Sequence, residues 1–245
     1  MKKISSLIML FCVVGGSSMA SQSPFETDTF QASTGALKIT FIGHGTLMLE
    51  FGGKIIHVDP YSKLADYSKL PKADLVLISH EHSDHLDLEA LGAIRSEKTI
   101  FVINEACAEK IPNGKVMKNG DERVVEGFKI EAIPAYNLVH KRDNGQPFHP
   151  KGVGNGYVVT FGDKRVYVAG DTENIPEMKS LRNIDIAFLP MNVPFTMTPE
   201  MTADAALMFQ PKVLYPYHFG ATDVSRLTAL LKDAKAIDVR VRKMQ

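Results

Sequence analysis

Leu75-Val76-Leu77-Ile78-Ser79-His80-Glu81-His82-Ser83-Asp84-His85 runs from a short apolar stretch into three histidines and two carboxylates. The apolar part is too short for an independent helix and rich in branched residues, so it reads as a buried strand with the polar cluster at its end. In extended backbone His80 and His82 point the same way, while Asp84 and His85 follow after the chain has begun to turn. That pattern can offer two faces of ligands. Imidazole nitrogen and carboxylate oxygen are donors that zinc and related divalent ions accept. A solvated charged loop explains any one of these residues. It does not explain four candidate ligands within six residues, whose crowding a bound cation would relieve.

Working outward, other strand ends carry similar groups. Asp59 ends Ile55-Ile56-His57-Val58-Asp59-Pro60, Asp171 follows Ala169-Gly170, and His218 follows Tyr215-Pro216-Tyr217. His80-x-His82-x-Asp84-His85, together with these residues in this order, resembles the signature of the metallo-β-lactamase fold hydrolases. Ile42-Gly43-His44-Gly45-Thr46 and Phe195-Thr196-Met197-Thr198-Pro199-Glu200 are similar to stretches of the branch that includes ascorbate-6-phosphate lactonase and N-acyl-phosphatidylethanolamine phospholipase D. The resemblance implies an α/β fold, a four-layer αββα sandwich with two mixed sheets face to face and helices outside. It implies two divalent metal ions, zinc first, with manganese or iron as alternatives. His80 and His82 would hold one ion, Asp84, His85 and His218 the other, with Asp171 between them. Asp84 would also pass a proton to the leaving group.

One position departs from the pattern. Asn137, in Ile133-Pro134-Ala135-Tyr136-Asn137, stands where the family has a histidine. An amide oxygen is a poorer zinc ligand than imidazole. The first ion is then weakly held, or completed by His149 or His140, or missing. His149 is the preferred substitute, and His44 and Asp59 are further candidates for the site or its surround.

Two functions are carried forward. The first is a secreted metal-dependent hydrolase that uses a metal-bound hydroxide to cleave a small ester, lactone or phosphodiester. The second is a metal-binding protein of the same fold with little hydrolytic activity because Asn137 has replaced a ligand. Iron redox chemistry and β-lactam hydrolysis are weaker alternatives, the former because no flavin-binding domain accompanies the fold.

The rest of the chain sets the context. Lys2 and Lys3, an apolar stretch from Ile4 to Val14 and the small residues before Ser21 read as a secretory signal peptide, residues 1–20, cleaved after Ala20. The protein is then periplasmic or secreted. Cys107 becomes the only cysteine, so no intramolecular disulfide is available, and it reads as a buried hydrophobe. The 28 basic and 28 acidic residues cancel, and losing Lys2 and Lys3 leaves 26 against 28, a formal charge of −2. That balance gives no electrostatic case for nucleic acid, and no basic helix face suggests a membrane surface after cleavage. The expected partner is a small-molecule substrate.

Residues 21–36 read as a loose polar lead-in, with order beginning near Leu37, and residues 37–245 as a single domain. Leu37–Ile42, Thr46–Phe51 and Lys54–Val58 read as an antiparallel meander. Helices are expected over 86–95, 106–111, 198–210 and from Thr222, and an edge strand over 236–241. Residues 136–156 lack a periodic pattern and read as a wall or lid whose basic residues could meet an anionic substrate group.

Overall fold

The structure is a computed structural model and describes residues 24–244. The expected signal peptide lies outside the described residues. Fourteen strands form two seven-stranded sheets with the orders β1-β2-β3-β4-β5-β6-β7 and β14-β13-β12-β11-β10-β9-β8. In the first sheet β1 (Glu26–Ala32), β2 (Gly35–Gly43), β3 (Thr46–Phe51) and β4 (Lys54–Val58) pair antiparallel. Parallel pairing then carries the sheet through β5 (Leu75–Leu77), β6 (Ile100–Ile103) and β7 (Lys115–Val116).

The second sheet repeats the plan. The strands β8 (Glu122–Val125), β9 (Phe128–Ala135), β10 (Gly154–Phe161) and β11 (Lys164–Val168) are antiparallel. Then β12 (Ile186–Pro190), β13 (Val213–Tyr217) and β14 (Asp238–Val239) follow parallel. This is the mixed two-sheet sandwich expected from the sequence.

Strand alternation explains why the sheets stack. Leu75 and Leu77 belong to the main core, whereas Val76 and Ile78 pack with Leu91, Ile94 and Cys107 in a second layer. Period-two side chains thus supply both faces of one buried strand. Helix α1 (Leu88–Ile94) covers that second layer, and Asp87 caps it by accepting from the Glu89 and Ala90 amides. Helices α2 (Pro199–Phe209) and α3 (Val224–Leu230) pack against the main core through residues such as Ala206, Phe209 and Leu227. The segment expected as a helix over 106–111 forms only a short 3₁₀ turn, Glu105–Cys107, closed when the Asn104 side chain accepts from the Cys107 amide. Cys107 is fully buried, and desolvation lifts its thiol pKa to about 12, so it is a packing residue. No helix among the described residues is long and apolar enough to cross a membrane.

The lead-in needs correction. Residues 26–32 are not loose but form β1, in register with β2 from Glu26↔Phe41 to Ala32↔Gly35. Glu26-Thr27-Asp28-Thr29-Phe30-Gln31-Ala32 is polar because it is an edge strand, and its ladder partner rather than apolar burial fixes it. Asp28 adds a tie to the chain's other end: it accepts from the Tyr215 hydroxyl and, at 2.8 Å from each oxygen, from Arg242 Nη2. Burial by itself would raise the Asp28 pKa, but those hydrogen bonds and the guanidinium charge outweigh it and hold the carboxyl below its ordinary value. A carboxyl depressed on folding adds stability above its unfolded pKa, about 3.9, and that stability is lost as pH falls through the folded value. Asp28→Asn should therefore lower the melting temperature at pH 7 by a few degrees, with the difference from wild type shrinking below about pH 4. A pH-independent difference in thermal unfolding would contradict this account.

Candidate metal centre

The site lies beyond the carboxyl ends of strands from both sheets. Asp59 follows β4, His80 follows β5, Asp171 follows β11 and His218 follows β13. His44, Asp59 and His218 adopt left-handed backbone, with φ of +49°, +44° and +47°. For non-glycine residues that conformation costs about 1–3 kcal/mol and persists where surrounding structure enforces it. The packing is equally tight at Gly45, where a Cβ atom would lie 2.9 Å from His85 Cε1. A side chain there would displace a histidine of the cluster.

Two groups of donors converge. In the first, His80 Nε2 and His82 Nδ1 lie 3.0 Å apart, and His149 joins them so that one ligand atom from each residue falls within 4.8 Å of the others. In the second, His44, Asp84, His85 and His218 meet the same limit. The turn in which the His85 and Leu86 amides donate to the His82 carbonyl carries Asp84 and His85 to this second side.

Asp171 stands between the groups. Its Oδ2 is 3.3 Å from His149 Nε2 and 3.5 Å from His218 Nε2, and its Oδ1 is 3.5 Å from His85 Nε2. His80 Nε2 is 4.0 Å from Oδ2.

The outward ring nitrogens are held by partners that fix which nitrogen faces the centre. Asp59 Oδ2 is 2.9 Å from His85 Nδ1. Ser79 Oγ donates to Asp59 at 2.6 Å and lies 2.9 Å from His80 Nδ1. Asn137 is turned away from the centre, its Oδ1 accepting from the His149 amide at 2.7 Å and lying 2.8 Å from His149 Nδ1. A histidine nitrogen therefore does reach the first group, from His149 rather than from position 137. The backbone explains how, since the Asn137 amide donates to the His149 carbonyl at 2.9 Å and closes the intervening chain into a loop.

Glu173 carries no signal in the sequence beyond its place two residues after Asp171, yet it organises this loop. It is fully buried and accepts from the Leu138, Val139 and His140 amides, from Asn137 Nδ2 at 3.1 Å, and lies 2.7 Å from His140 Nδ1. His140 is thus tied to Glu173 and stays out of the cluster.

The fit to divalent cations can be tested on the residues themselves. His85 Nε2, His149 Nε2, His218 Nε2 and Asp171 Oδ1 are buried and have no hydrogen-bond partner, although buried polar atoms nearly always find one. The three nitrogens lie 3.3–3.5 Å from the Asp171 carboxylate. Burial pushes the His80 pKa well below its ordinary value. At His85 burial acts the same way, but Asp171, Asp59 and Asp84 outweigh it and raise the pKa to about 9. A field that holds a proton on a buried imidazole also favours a cation among these donors. His80, His82 and His149 with Asp171 could hold one ion, and Asp84, His85 and His218 with Asp171 a second.

The centre opens into a cleft of about 420 Å³ whose lining includes Asp84, His149, Asp171 and His218. Asp84 is a third exposed and its Oδ2 is 3.1 Å from His44 Nε2. Phe148 and Phe195, missed in the sequence, form an apolar wall with ring centroids 5.1 Å apart.

Comparison with known proteins agrees with this architecture. The β-lactamase superfamily domain model matches residues 38–218. A UPF0173 metal-dependent hydrolase of Pelotomaculum thermopropionicum is 29% identical over 84% of this chain and 96% of its own length. One of Methanopyrus kandleri is 32% identical over 75% of this chain and 84% of its own. Among solved structures, a Parabacteroides distasonis protein assigned to the metal-dependent hydrolases is 52% identical, with a TM-score of 0.86, covering 90% of this chain and all of that one. Igni18, a metallo hydrolase of Ignicoccus hospitalis, is 26% identical with a TM-score of 0.70, covering 84% of this chain and 94% of its own. The fold, the two groups of ligand-bearing side chains and these matches together make the chain a member of the metallo-β-lactamase superfamily, in its family of metal-dependent hydrolases.

Proposed function

We propose that the chain is a dinuclear metal hydrolase that cleaves a small ester, lactone or phosphodiester. In this reading His80, His82 and His149 would hold one divalent ion and Asp84, His85 and His218 the other, with Asp171 available to both. The observation that carries it is that three buried imidazole nitrogens with no hydrogen-bond partner, those of His149, His218 and His85, lie 3.3, 3.5 and 3.5 Å from the oxygens of the Asp171 carboxylate. The nitrogen and oxygen donor set suits zinc first, and manganese or iron also accept it. Bound ions of this kind lower the pKa of coordinated water from 15.7 to about 7 and polarise a carbonyl or phosphoryl oxygen.

The chain's own residues do the rest. Asp59, Ser79 and Asn137 hold the Nδ1 sides of His85, His80 and His149, leaving each Nε2 free to face the centre. Asp84 lies beside His44 and is open to the cleft. Burial alone would raise its pKa, but hydrogen bonds with His218 and His44 outweigh that and hold the carboxyl well below its ordinary value. In this reading it would pass a proton on to the leaving oxygen rather than store one. Phe148 and Phe195 shield one side of the cleft from water. The reading includes export, on the evidence of Lys2, Lys3 and the apolar stretch behind them, and N-terminal sequencing of the secreted form should begin at Ser21.

The test is a metal titration against chromogenic esters, lactones and phosphodiesters. At least one class should turn over, with activity abolished by a chelator and restored by added metal. Tight metal binding with no turnover on any class would overturn the hydrolase reading in favour of a metal-binding role.

A further inference from the structure

Arg142 gives the cleft a charge that the metal centre does not require. Among the described residues it is the one lysine or arginine lining the cleft, whose lining also includes His82, Asp84, Asp171 and His218. Of the other basic residues of the same loop, Lys151 Nζ pairs with Glu177 at 2.9 Å and donates to the Tyr136 hydroxyl, and Lys141 is not among the residues lining the cleft. Arg142 has no carboxylate within 4.0 Å among the described residues, whereas Arg165, Arg226, Arg240 and Arg242 each have one. Its side chain's one hydrogen bond among the described residues runs from Nη2 to the Phe148 carbonyl at 3.3 Å. Of five guanidinium donors, most remain unspent.

The arginine is nevertheless held in place. Its carbon Cζ sits 5.0 Å from the centroid of the Phe148 ring. Its amide donates to the Gln146 carbonyl at 2.8 Å, and the Gly145 amide donates back to the Arg142 carbonyl at 2.9 Å. Lys141 and Pro147 form a bridge beneath this turn. The turn springs from segment 137–140, pinned by Glu173, and ends at His149 in the ligand cluster. Asn137 Nδ2 also donates to the Phe195 carbonyl at 2.9 Å, joining this loop to the other apolar wall. The structure thus places a largely uncommitted guanidinium beside the Phe148 ring, in the same cleft as Phe195 and the candidate metal ligands.

We infer that the substrate carries an oxyanion, a carboxylate or phosphate separate from the scissile bond, which Arg142 binds while the apolar body of the substrate lies against Phe148 and Phe195. The inference rests on the hydrolase reading above and names its substrate class. The planar fork of the guanidinium matches two oxygens of either anion, which a neutral group of the same size cannot supply. The cleft volume of about 420 Å³ is of small-molecule size.

The test uses three 4-nitrophenyl esters of equal acyl length, ending in methyl, carboxylate or phosphate, with the metal-loaded wild type, Arg142→Gln and Arg142→Lys. Wild type should favour one or both anionic esters over the neutral one by about tenfold or more in kcat/KM. In Arg142→Gln that ratio should fall toward one through a raised KM for the anionic ester, and Arg142→Lys should recover part of it. The arm with the larger ratio identifies carboxylate or phosphate as the source. Elemental analysis of each variant separates loss of ions from loss of anion binding. Calorimetric titration with glutarate and with phenylphosphonate supplies a readout independent of turnover: one of them should bind wild type at least about tenfold more tightly than Arg142→Gln. If no ester, lactone or phosphodiester is cleaved but that difference persists, the hydrolase reading fails and the anion site stands. If esters are cleaved with no anionic preference, or the preference survives in Arg142→Gln, the anion site is overturned.

Discussion

Asp171→Asn should lower turnover of any substrate by at least about a thousandfold, while the protein stays folded. The magnitude follows from what the ions supply. Without them the pKa of water returns from about 7 to 15.7, so the ionised fraction at neutral pH falls by roughly eight powers of ten. Free hydroxide is a better nucleophile than a coordinated one, which offsets part of that loss, and about a thousandfold is the conservative remainder. Asparagine preserves the volume of a residue that is only 5% exposed but removes the charge facing His85, His149 and His218. Desolvation opposes burying the Asp171 carboxylate, and the surrounding imidazoles outweigh it and hold its pKa far below the ordinary value. The metal-free variant should therefore still fold but unfold somewhat below the metal-free wild type at pH 7, because a carboxyl depressed on folding contributes stability there. It should lose most of the stabilisation that added metal gives the wild type. Comparable turnover at saturating metal would remove Asp171 from the mechanism.

Asn137→Ala should weaken the ion held by His80, His82 and His149 by about 10- to 100-fold, with the ion at Asp84, His85 and His218 retained. Alanine leaves His149 Nδ1 without the amide oxygen 2.8 Å away and frees the ring to turn or to present the wrong nitrogen. It also removes the donor that ties the loop to Glu173 and to the Phe195 carbonyl. Competition with a chelator of known affinity should show two binding steps in wild type and one weakened step in the variant. Two unchanged steps would mean that Asn137 does not orient a ligand.

The positions of these residues show what a sequence reveals. The strand at Leu75–Leu77 and the cluster behind it were legible because alternation and ligand spacing are local properties. The antiparallel meander over Leu37–Val58 was readable for the same reason, through β-type runs punctuated by glycine, whereas the parallel pairing that follows it in each sheet joins strands far apart in the chain. The role of position 137 was not local. Its alignment with a histidine of the family made Asn137 a suspect ligand. Only the closure of residues 137–149 into a loop shows the amide behind His149 instead. Asp59, a candidate for the site or its surround from its place at a strand end, stands in the structure behind His85 as its hydrogen-bond partner. His44 enters the second group of donors through a left-handed turn that no pattern of residues announces. Glu173 and the Phe148 and Phe195 wall were invisible for a related reason, since a buried acceptor and a cleft wall are defined by what the fold brings near. The strand β1 was missed because an edge strand can be held by its ladder and by a tie such as that between Asp28 and Arg242, without the apolar alternation by which strands are recognised.

Metal content per chain tests the central claim most directly, measured by elemental analysis of protein purified without chelator, for wild type and His149→Ala side by side. The account predicts about two divalent ions in wild type and about one in His149→Ala, because Asp84, His85 and His218 remain while the first group keeps only His80 and His82 beside Asp171. One ion or none in wild type, or two ions undiminished in His149→Ala, would contradict a centre in which His149 completes the first metal site.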